Sequence, residues 1–262
     1  MHKSARFDAI MEALKKSGSQ SVTDLTRQLS VSDETVRRDI KSLAAKGLVE
    51  RVHGGVVLPN RHIEADFNNR ISQSAMEKET IARLAAEHVR DGDTLMIDSG
   101  ATTAYVARAL RNHRDLFVLT NSTEIARTLV SGPGNRVHVA GGEMRRDDNA
   151  VFGETAVSFF RQFRTRLAIL SIGAIHPIGG FMDYHLQEAE IARCMVEQAS
   201  STMVVADYSK FSNLAPVSVC GFDAVGTLVC DRQPPVAISQ LIQHHEGIIV
   251  AGEAAVDGTL EG

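Results

Sequence analysis

Residues 30–43 read SVSDETVRRDIKSL, and this stretch decides the fold of the first part of the chain. Ser32 precedes a run of apolar residues at helical spacing, which predicts a helix over residues 33–46 with a serine N-cap. The buried face of this helix carries Val36, Ile40 and Leu43. Its opposite face carries hydroxyl and charged side chains, so the helix presents a polar surface to a partner.

The residues on either side of this helix complete a winged helix-turn-helix. A capping-box pattern at residues 21–24 predicts a short helix before this one. The helical spacing of apolar side chains in residues 6–16 predicts a further helix upstream. Residues 48–58 alternate between apolar and polar side chains around a pair of glycines, which predicts a two-stranded wing. We interpret residues 1–58 as a DNA-binding domain, since the second helix of such a motif enters the major groove.

The distribution of charge agrees with this interpretation. The 262-residue chain has a net charge of −4. Residues 1–57 hold ten Lys and Arg against seven Asp and Glu, whereas residues 58–262 hold eighteen against twenty-five. The basic part of the chain is therefore the N-terminal part, where a surface facing phosphates is expected.

Candidate DNA contacts lie on the exposed face of the predicted second helix. Arginine can make bidentate contacts to guanine, threonine can meet a base edge, and lysine suits phosphate. The candidates are Ser32, Thr35, Arg37, Arg38 and Lys41. The alternative is a solvated helix face with i,i+4 charge pairs, such as Glu34 with Arg38. The turn, the tandem arginines and the glycine wing together favour DNA binding.

The second part of the chain predicts an α/β domain. Residues 59–74 are polar and weakly patterned and predict a linker. Short apolar runs then occur at residues 94–97, 117–119, 137–139, 168–172, 203–205, 227–229 and 248–250. Helical stretches are predicted near residues 77–89, 103–111, 123–130, 154–163, 187–199 and 236–244. This alternation predicts a largely parallel sheet, covered by helices on both faces, over residues 75–252.

Several other classes of protein are disfavoured by the sequence. No run approaches the ~20 apolar residues of a membrane span, and the first residues have no apolar signal core. The three cysteines have no CxxC spacing, which favours reduced thiols over a metal or redox site. We therefore expect a cytoplasmic protein with no membrane partner, no metal and no cofactor.

Three turns rich in glycine and hydroxyl side chains follow predicted strands, where a parallel sheet builds its ligand crevice. Such turns can hold a phosphate on backbone N–H groups at a helix N-terminus, although each one alone is also an ordinary N-cap or glycine turn. The candidate residues are Asp98, Ser99, Gly100, Thr102 and Thr103 in the first turn, Thr120, Asn121 and Ser122 in the second, and Gly141 and Gly142 in the third.

Two further side chains are candidates for the same crevice. Lys210 follows a predicted strand and could neutralise a phosphate or carboxylate, with a solvated lysine as the alternative. Glu188 could accept hydrogen bonds from ligand hydroxyls. Glu190, Arg193 and His185 are poorer candidates, and residues 145–148 are interpreted as an exposed loop.

The motifs of the first part closely resemble the signature of the DeoR family of bacterial regulators. The resembling residues are Arg6, Ile10, Val22, Leu25, Leu29, Val31, Ser32, Thr35 through Ile40, Leu43, Arg51, His53, Gly54 and Gly55. The resemblance implies that Thr35, Arg37 and Arg38 belong to the recognition helix. It also implies that His53, Gly54 and Gly55 form the tip of the wing, where glycine lets the backbone approach DNA.

The second part resembles the effector domain of the same family, so the likeness covers about residues 3–252. That domain is similar in fold to ribose-5-phosphate isomerase, which implies a phosphate loop at residues 98–103 and a strand-end lysine at Lys210. Ala101 stands where the family usually has Ser or Thr. Residues 171–176 lack the acidic run that the isomerase carries, which argues against isomerase chemistry.

These features predict a regulator, acting as a repressor, of a carbohydrate or polyol operon that is controlled by a phosphorylated sugar or polyol. The chain is most similar to glycerol-3-phosphate regulon repressors, which makes glycerol 3-phosphate one candidate effector. The alternatives are an isomerase-like enzyme with an appended DNA-binding domain, and a DNA-binding protein whose second part only oligomerises. We expect no catalytic residues, and at least a homodimer, because symmetric operators are bound by symmetric dimers.

Overall fold

The computed structural model describes residues 3–17, 19–52, 55–57, 67–146, 148–211 and 213–252. The chain divides into two compact units, Met1–Ile63 and Glu64–Gly262, which we call the head and the body. None of the helices in these described ranges is long and apolar enough to cross a membrane.

The head is a winged helix-turn-helix, as the sequence predicts. Its elements are helix α1 (Lys3–Ser17), strand β1 (Ser19–Ser21), helix α2 (Val22–Leu29), helix α3 (Asp33–Ala45), and strands β2 (Glu50–Val52) and β3 (Gly55–Val57). The hydroxyl of Ser21 accepts a hydrogen bond from the backbone N–H of Asp24 at 3.0 Å. The hydroxyl of Ser32 accepts one from the N–H of Thr35 at 3.3 Å. Both predicted N-caps are therefore confirmed.

Strand β1 was not predicted, and it changes the role of one glycine. It pairs with β3 in antiparallel fashion, so the wing is a three-stranded sheet in the order β1-β3-β2. A Cβ atom on Gly55 would lie 2.6 Å from the backbone oxygen of Gln20. The absence of a side chain at Gly55 therefore permits strand pairing within the head. His53 and Gly54 lie outside the described residues.

An ion pair ties the first helix of the head to α3. Arg6 donates from Nε to Asp39 Oδ2 at 2.6 Å and from Nη2 to Asp39 Oδ1 at 3.2 Å. The hydrogen bond to Asp39 raises the pKa of Arg6. Because Asp39 is 1% exposed, the inner face of α3 is fixed by charge as well as by its apolar side chains.

The body is built on a seven-stranded, fully parallel sheet in the order β15-β14-β12-β9-β4-β5-β6. Its strands are β4 (Thr94–Ile97), β5 (Phe117–Thr120), β6 (Arg136–Val139), β9 (Thr165–Ser171), β12 (Ala199–Ala206), β14 (Thr227–Cys230) and β15 (Ile248–Ala251). The helices are α4 (Phe67–Ser72), α5 (Ala75–Ala86), α6 (Ala101–Ala109), α7 (Thr123–Leu129), α8 (Glu154–Phe160), α9 (Leu186–Gln198) and α10 (Val236–His244).

Alternating side chains of the sheet face two separate apolar cores. Leu95 and Ile97 of β4 pack in one core with residues of α5, α6 and α7. Met96 of the same strand packs in the other core with residues of α8, α9 and α10. Both faces are therefore covered, and all seven apolar runs predicted as strands belong to this sheet. The predicted α/β class is confirmed.

The antiparallel parts of the body were not predicted. Strands β7 (Glu143–Arg145) and β8 (Ala150–Phe152) form a hairpin, and β10 (Ala174–His176), β11 (Gly180–Asp183) and β13 (Val217–Cys220) form a small sheet. Helix α4 lies within the segment interpreted as a linker, and Phe67 is 3% exposed in the core that α5 and α6 share. The end of that segment is thus part of the body, because its one aromatic side chain is buried there.

Candidate functional site

A cavity of about 90 Å³ lies where the strand order of the sheet reverses. The chain moves from β4 towards β6 on one side, and then crosses to β9 on the other side of β4. The loops that follow β4 and β9 therefore diverge, and a crevice between such loops is the usual ligand site of open α/β sheets. We call this cavity the crevice. Polar residues of its wall include Arg70, Lys78, Asp98, Ser99, Thr102, Asn121, Ser171, Asp183, Glu188, Asp207, Ser209 and Lys210.

Asp98 joins the two diverging loops. Its Oδ2 accepts hydrogen bonds from the N–H of Ser171 at 2.8 Å and from the Ser171 hydroxyl at 3.0 Å, and its Oδ1 accepts from the N–H of Gly100 at 3.3 Å. Burial raises the pKa of Asp98 to about 6, although the hydrogen bonds of Thr103, Ser171 and Gly100 favour its charged form. The Asp98 carboxylate is thus held by hydrogen bonds from residues of the protein itself.

The turn after Asp98 has no room for a side chain at its glycine. A Cβ atom on Gly100 would lie 1.7 Å from the hydroxyl oxygen of Ser171. Gly100 is the N-cap of α6, and its N–H donates to the Thr103 hydroxyl at 2.9 Å. Thr103 is therefore a capping residue, fully buried, and it is absent from the wall of the crevice.

Lysine side chains approach the crevice from two elements. Lys78 in the first turns of α5 is 5% exposed, and its Nζ donates to the backbone oxygen of Gln73. Burial lowers the pKa of Lys78, and the positive charge of Lys210 adds to this effect, whereas the negative charge of Asp207 opposes it. Lys210 lies in the short helical turn after β12. An anion between these ammonium groups would relieve their mutual repulsion.

A network of ion pairs lies beside the same wall. The prediction of an exposed loop at residues 145–148 is confirmed for Arg146 but wrong for Arg145, which ends β7 and is half-buried, and for Asp148, which is buried; residue 147 lies outside the described residues. Asp148 is 7% exposed and pairs with Arg70 at 2.8 Å and with Arg145 at 3.0 Å. Arg145 also pairs with Glu188 at 2.6 Å. The β7–β8 hairpin, α4 and α9 are therefore linked by charge, and Glu188 already holds one strong partner.

The structure brings together seven of the twelve residues that the sequence assigned to the effector. Those in the wall of the crevice are Asp98, Ser99, Gly100, Thr102, Asn121, Glu188 and Lys210. Those outside it are Thr103, Thr120, Ser122, Gly141 and Gly142. Thr120 and Ser122 satisfy the backbone instead: the Thr120 hydroxyl accepts from the Ser122 N–H at 3.1 Å, and the Ser122 hydroxyl caps α7. Gly141 and Gly142 are exposed beyond edge strand β6.

Sequence reasoning missed four charged residues of the wall. Arg70 and Lys78 come from α4 and α5, which precede the first strand of the sheet, whereas Asp183 ends β11 and Asp207 directly follows β12. One signal was available for Lys78, because Lys78 and Lys210 are the only two lysines of residues 64–262. Asp207 follows the apolar run at residues 203–205, as Asp98 follows the run at residues 94–97, so its position after a predicted strand was a second signal. Arg70 and Asp183 have no pattern in the sequence that separates them from ordinary surface charge.

Helix α3 of the head presents the predicted basic face. The side chain of Arg37 is 60% exposed and pairs with Asp33 at 2.8 Å, an i,i+4 pair. Arg38 and Lys41 are exposed on the same helix. Thr35 is partly exposed, with its hydroxyl 2.9 Å from that of Ser32 at the N-terminus of the helix. An exposed i,i+4 pair contributes little to stability, so Arg37 can exchange Asp33 for a phosphate or a base.

Two family models match the chain. A DeoR-like helix-turn-helix domain matches residues 6–62, and the DeoR C terminal sensor domain matches residues 73–232. The glycerol-3-phosphate regulon repressor of Escherichia coli (strain K12) is 36% identical over 245 residues, which are 94% of this chain and 97% of that protein. The HTH-type transcriptional repressor CsqR of the same organism is 34% identical over 238 residues, 91% of each chain.

A solved structure with partial likeness is ribose 5-phosphate isomerase A of Methanocaldococcus jannaschii. Its TM-score is 0.37, with 15% identity over 52% of this chain and 54% of that one.

The raised pKa of Asp98 predicts a pH dependence of stability. The folded-state pKa of about 6 lies above the usual 3.8, so the folded body keeps a proton that the unfolded chain has already released. Stability is therefore lost as pH rises from about 4 to about 6, by at most about 3 kcal/mol. Asp98→Asn should lack this component. Urea unfolding followed by tyrosine fluorescence reports on the body alone, because all three tyrosines lie there. A difference between wild type and variant that does not change over this pH range would contradict the prediction.

Proposed function

The chain belongs to the DeoR family of DNA-binding transcription regulators, and we propose that it represses a carbohydrate or polyol operon until a phosphorylated intermediate occupies the crevice. The named relatives that cover most of this chain are transcriptional repressors, one of them of the glycerol-3-phosphate regulon. The head supplies a helix for the major groove, and the body supplies a polar crevice. Glycerol 3-phosphate is the first effector to test.

The observation that carries the ligand class is the position of the two lysines. Lys78 and Lys210 are the only lysines of residues 64–262, and both line the crevice together with Arg70. Lysine is a compact charge that suits phosphate, and its burial at Lys78 is unfavourable unless an anion compensates for it. The backbone N–H groups at the start of α6 add further donors at the same wall. A phosphate group satisfies all of these features.

The acidic side chains of the crevice do not support an isomerase. Asp98 is held by Ser171 and Gly100, and Asp207 accepts from the Ser209 N–H at 2.9 Å and from the Ser209 hydroxyl. A general base must instead be available to a proton of the substrate. Carboxylates that already accept hydrogen bonds from neighbouring loop residues are suited to fixing loops, so we propose a sensor without catalytic activity.

Arg37 and Arg38 are expected to carry operator binding. Replacing both by alanine removes two base or phosphate contacts at about 1–3 kcal/mol each, so operator affinity should fall at least about thirtyfold. Fluorescence anisotropy with a labelled operator at physiological salt measures this loss. Arg83→Ala is the matched control, because Arg83 forms an equally exposed i,i+4 pair with Glu87 in the body. Equal affinity of the double variant and the control would remove α3 from the recognition role.

Lys210 is expected to bind the effector phosphate. In Lys210→Ala, the loss of a charged hydrogen bond should raise the ligand concentration that releases half of the operator by about tenfold or more. The titration uses glycerol 3-phosphate, and each variant is normalised to its own operator binding without ligand. Arg83→Ala again serves as the control. If Lys210→Ala responds at the wild-type concentration, Lys210 is a solvated lysine.

We also propose that the protein acts as a homodimer or a higher homo-oligomer. One helix-turn-helix covers a short half-site, and a symmetric pair of heads covers a palindromic operator. Sedimentation at micromolar concentration should give at least a dimer. A monomer both with and without operator DNA would refute this part of the proposal.

A further inference from the structure

Asn121 is held in the wall of the crevice with its amide in one orientation. It follows β5, is 1% exposed, and donates from Nδ2 to the carbonyl of Val151 at 3.1 Å and to the hydroxyl of Ser99 at 3.1 Å. Its backbone oxygen accepts from the N–H of Val151 at 2.9 Å. A carbonyl can only accept, so the contact with Val151 fixes which end of the amide is nitrogen.

The other end of the amide is a buried acceptor. Both N–H groups of Asn121 have partners in the protein, whereas its Oδ1 has no hydrogen-bond donor among the residues that the structure describes. A buried acceptor without a donor is unfavourable, and native proteins rarely keep one. The neighbouring hydroxyls of Thr120 and Ser122 are both used by the backbone, so Asn121 stands apart from them.

The chemistry around Asn121 restricts what can approach it. An ionised phosphate oxygen or a carboxylate is an acceptor and has nothing to donate to Oδ1. The Ser99 hydroxyl accepts from Asn121, and no residue in the described part of the chain accepts its own hydrogen, which can therefore be donated into the crevice. A hydroxyl group on a ligand can donate to Asn121 and accept from Ser99 at the same time, which neither an ammonium group nor a carbonyl can do.

We propose that Asn121 accepts a hydrogen bond from a hydroxyl of the effector, so that the crevice selects phosphate esters with a hydroxyl over esters without one. The inference rests on the proposed function, because it takes the phosphate to lie with Lys78 and Lys210. The two lysines then provide affinity for any phosphate group. Asn121 and Ser99 provide selectivity between phosphate esters that carry a hydroxyl and those that do not. Phosphate esters whose remaining groups are only acceptors are discriminated against.

The test compares two esters of equal chain length on the intact protein. Isothermal titration measures the binding of glycerol 3-phosphate, of propyl phosphate, which lacks the hydroxyls, and of inorganic phosphate. Wild type should bind glycerol 3-phosphate at least about tenfold more tightly than propyl phosphate, since an unpaired buried acceptor is costly. Asn121→Leu, which removes the acceptor at similar size, should reduce this preference below about threefold. Asn112→Leu, at an exposed asparagine of the body, should keep it.

The outcomes separate the two proposals. Equal binding of both esters by wild type overturns the inference whatever the variants do, so the test survives a variant that fails to fold. A wild-type preference in folded Asn121→Leu also overturns it, and thermal melting without ligand establishes that this variant is folded. If none of the three phosphate compounds binds wild type, the proposed function fails and the inference falls with it.

Discussion

The body depends on one junction, the hydrogen bonds between Asp98 at the end of β4 and Ser171 at the end of β9. These two strands are neighbours in the middle of the sheet, yet the chain leaves them in opposite directions. The loops after β4 and β9 therefore diverge and leave a crevice between them. The distance between the two loops must be fixed by a contact that joins them. The Asp98 carboxylate joins the loops by accepting hydrogen bonds from the N–H and the hydroxyl of Ser171. Its negative charge is buried, and this burial raises the pKa of Asp98 to about 6.

Charge is arranged around the crevice in two different ways. Two charged side chains of the wall form ion pairs within the protein, Arg70 with Asp148 and Glu188 with Arg145. Lys78 instead contacts a backbone carbonyl and is opposed by a second lysine, and burial lowers its pKa. Ion pairs between α4, α9 and the β7–β8 hairpin give the wall its shape, and the two lysines give it an attraction for anions.

The helices that contribute side chains to the wall of the crevice also bear on how a ligand could affect DNA binding. Arg70 and Lys78 lie on α4 and α5, the first described helices that follow the head in the chain. A ligand changes operator affinity only if it binds two arrangements of the protein unequally. Contacts from an effector to α4 and α5 would act on the segment of chain that leads to the head, which gives a direct physical route for such a difference.

The sequence by itself determined both domains and the sheet. The apolar periodicity of α3, its serine cap and the seven apolar runs follow from local rules of helix and strand formation, and each was visible in consecutive residues. The short antiparallel strands and α4 were missed, because three to six residues carry too little periodicity to be recognised. Glycine-rich turns after strands located the crevice, but they did not separate Thr120 and Ser122, which serve the backbone, from Asn121, which faces the crevice. Only the tertiary structure decided this, and only it brought Lys78 to Lys210 across 132 residues of chain. Which polar group is left with an unused hydrogen bond depends on every neighbour that packs around it, and those neighbours come from distant parts of the chain.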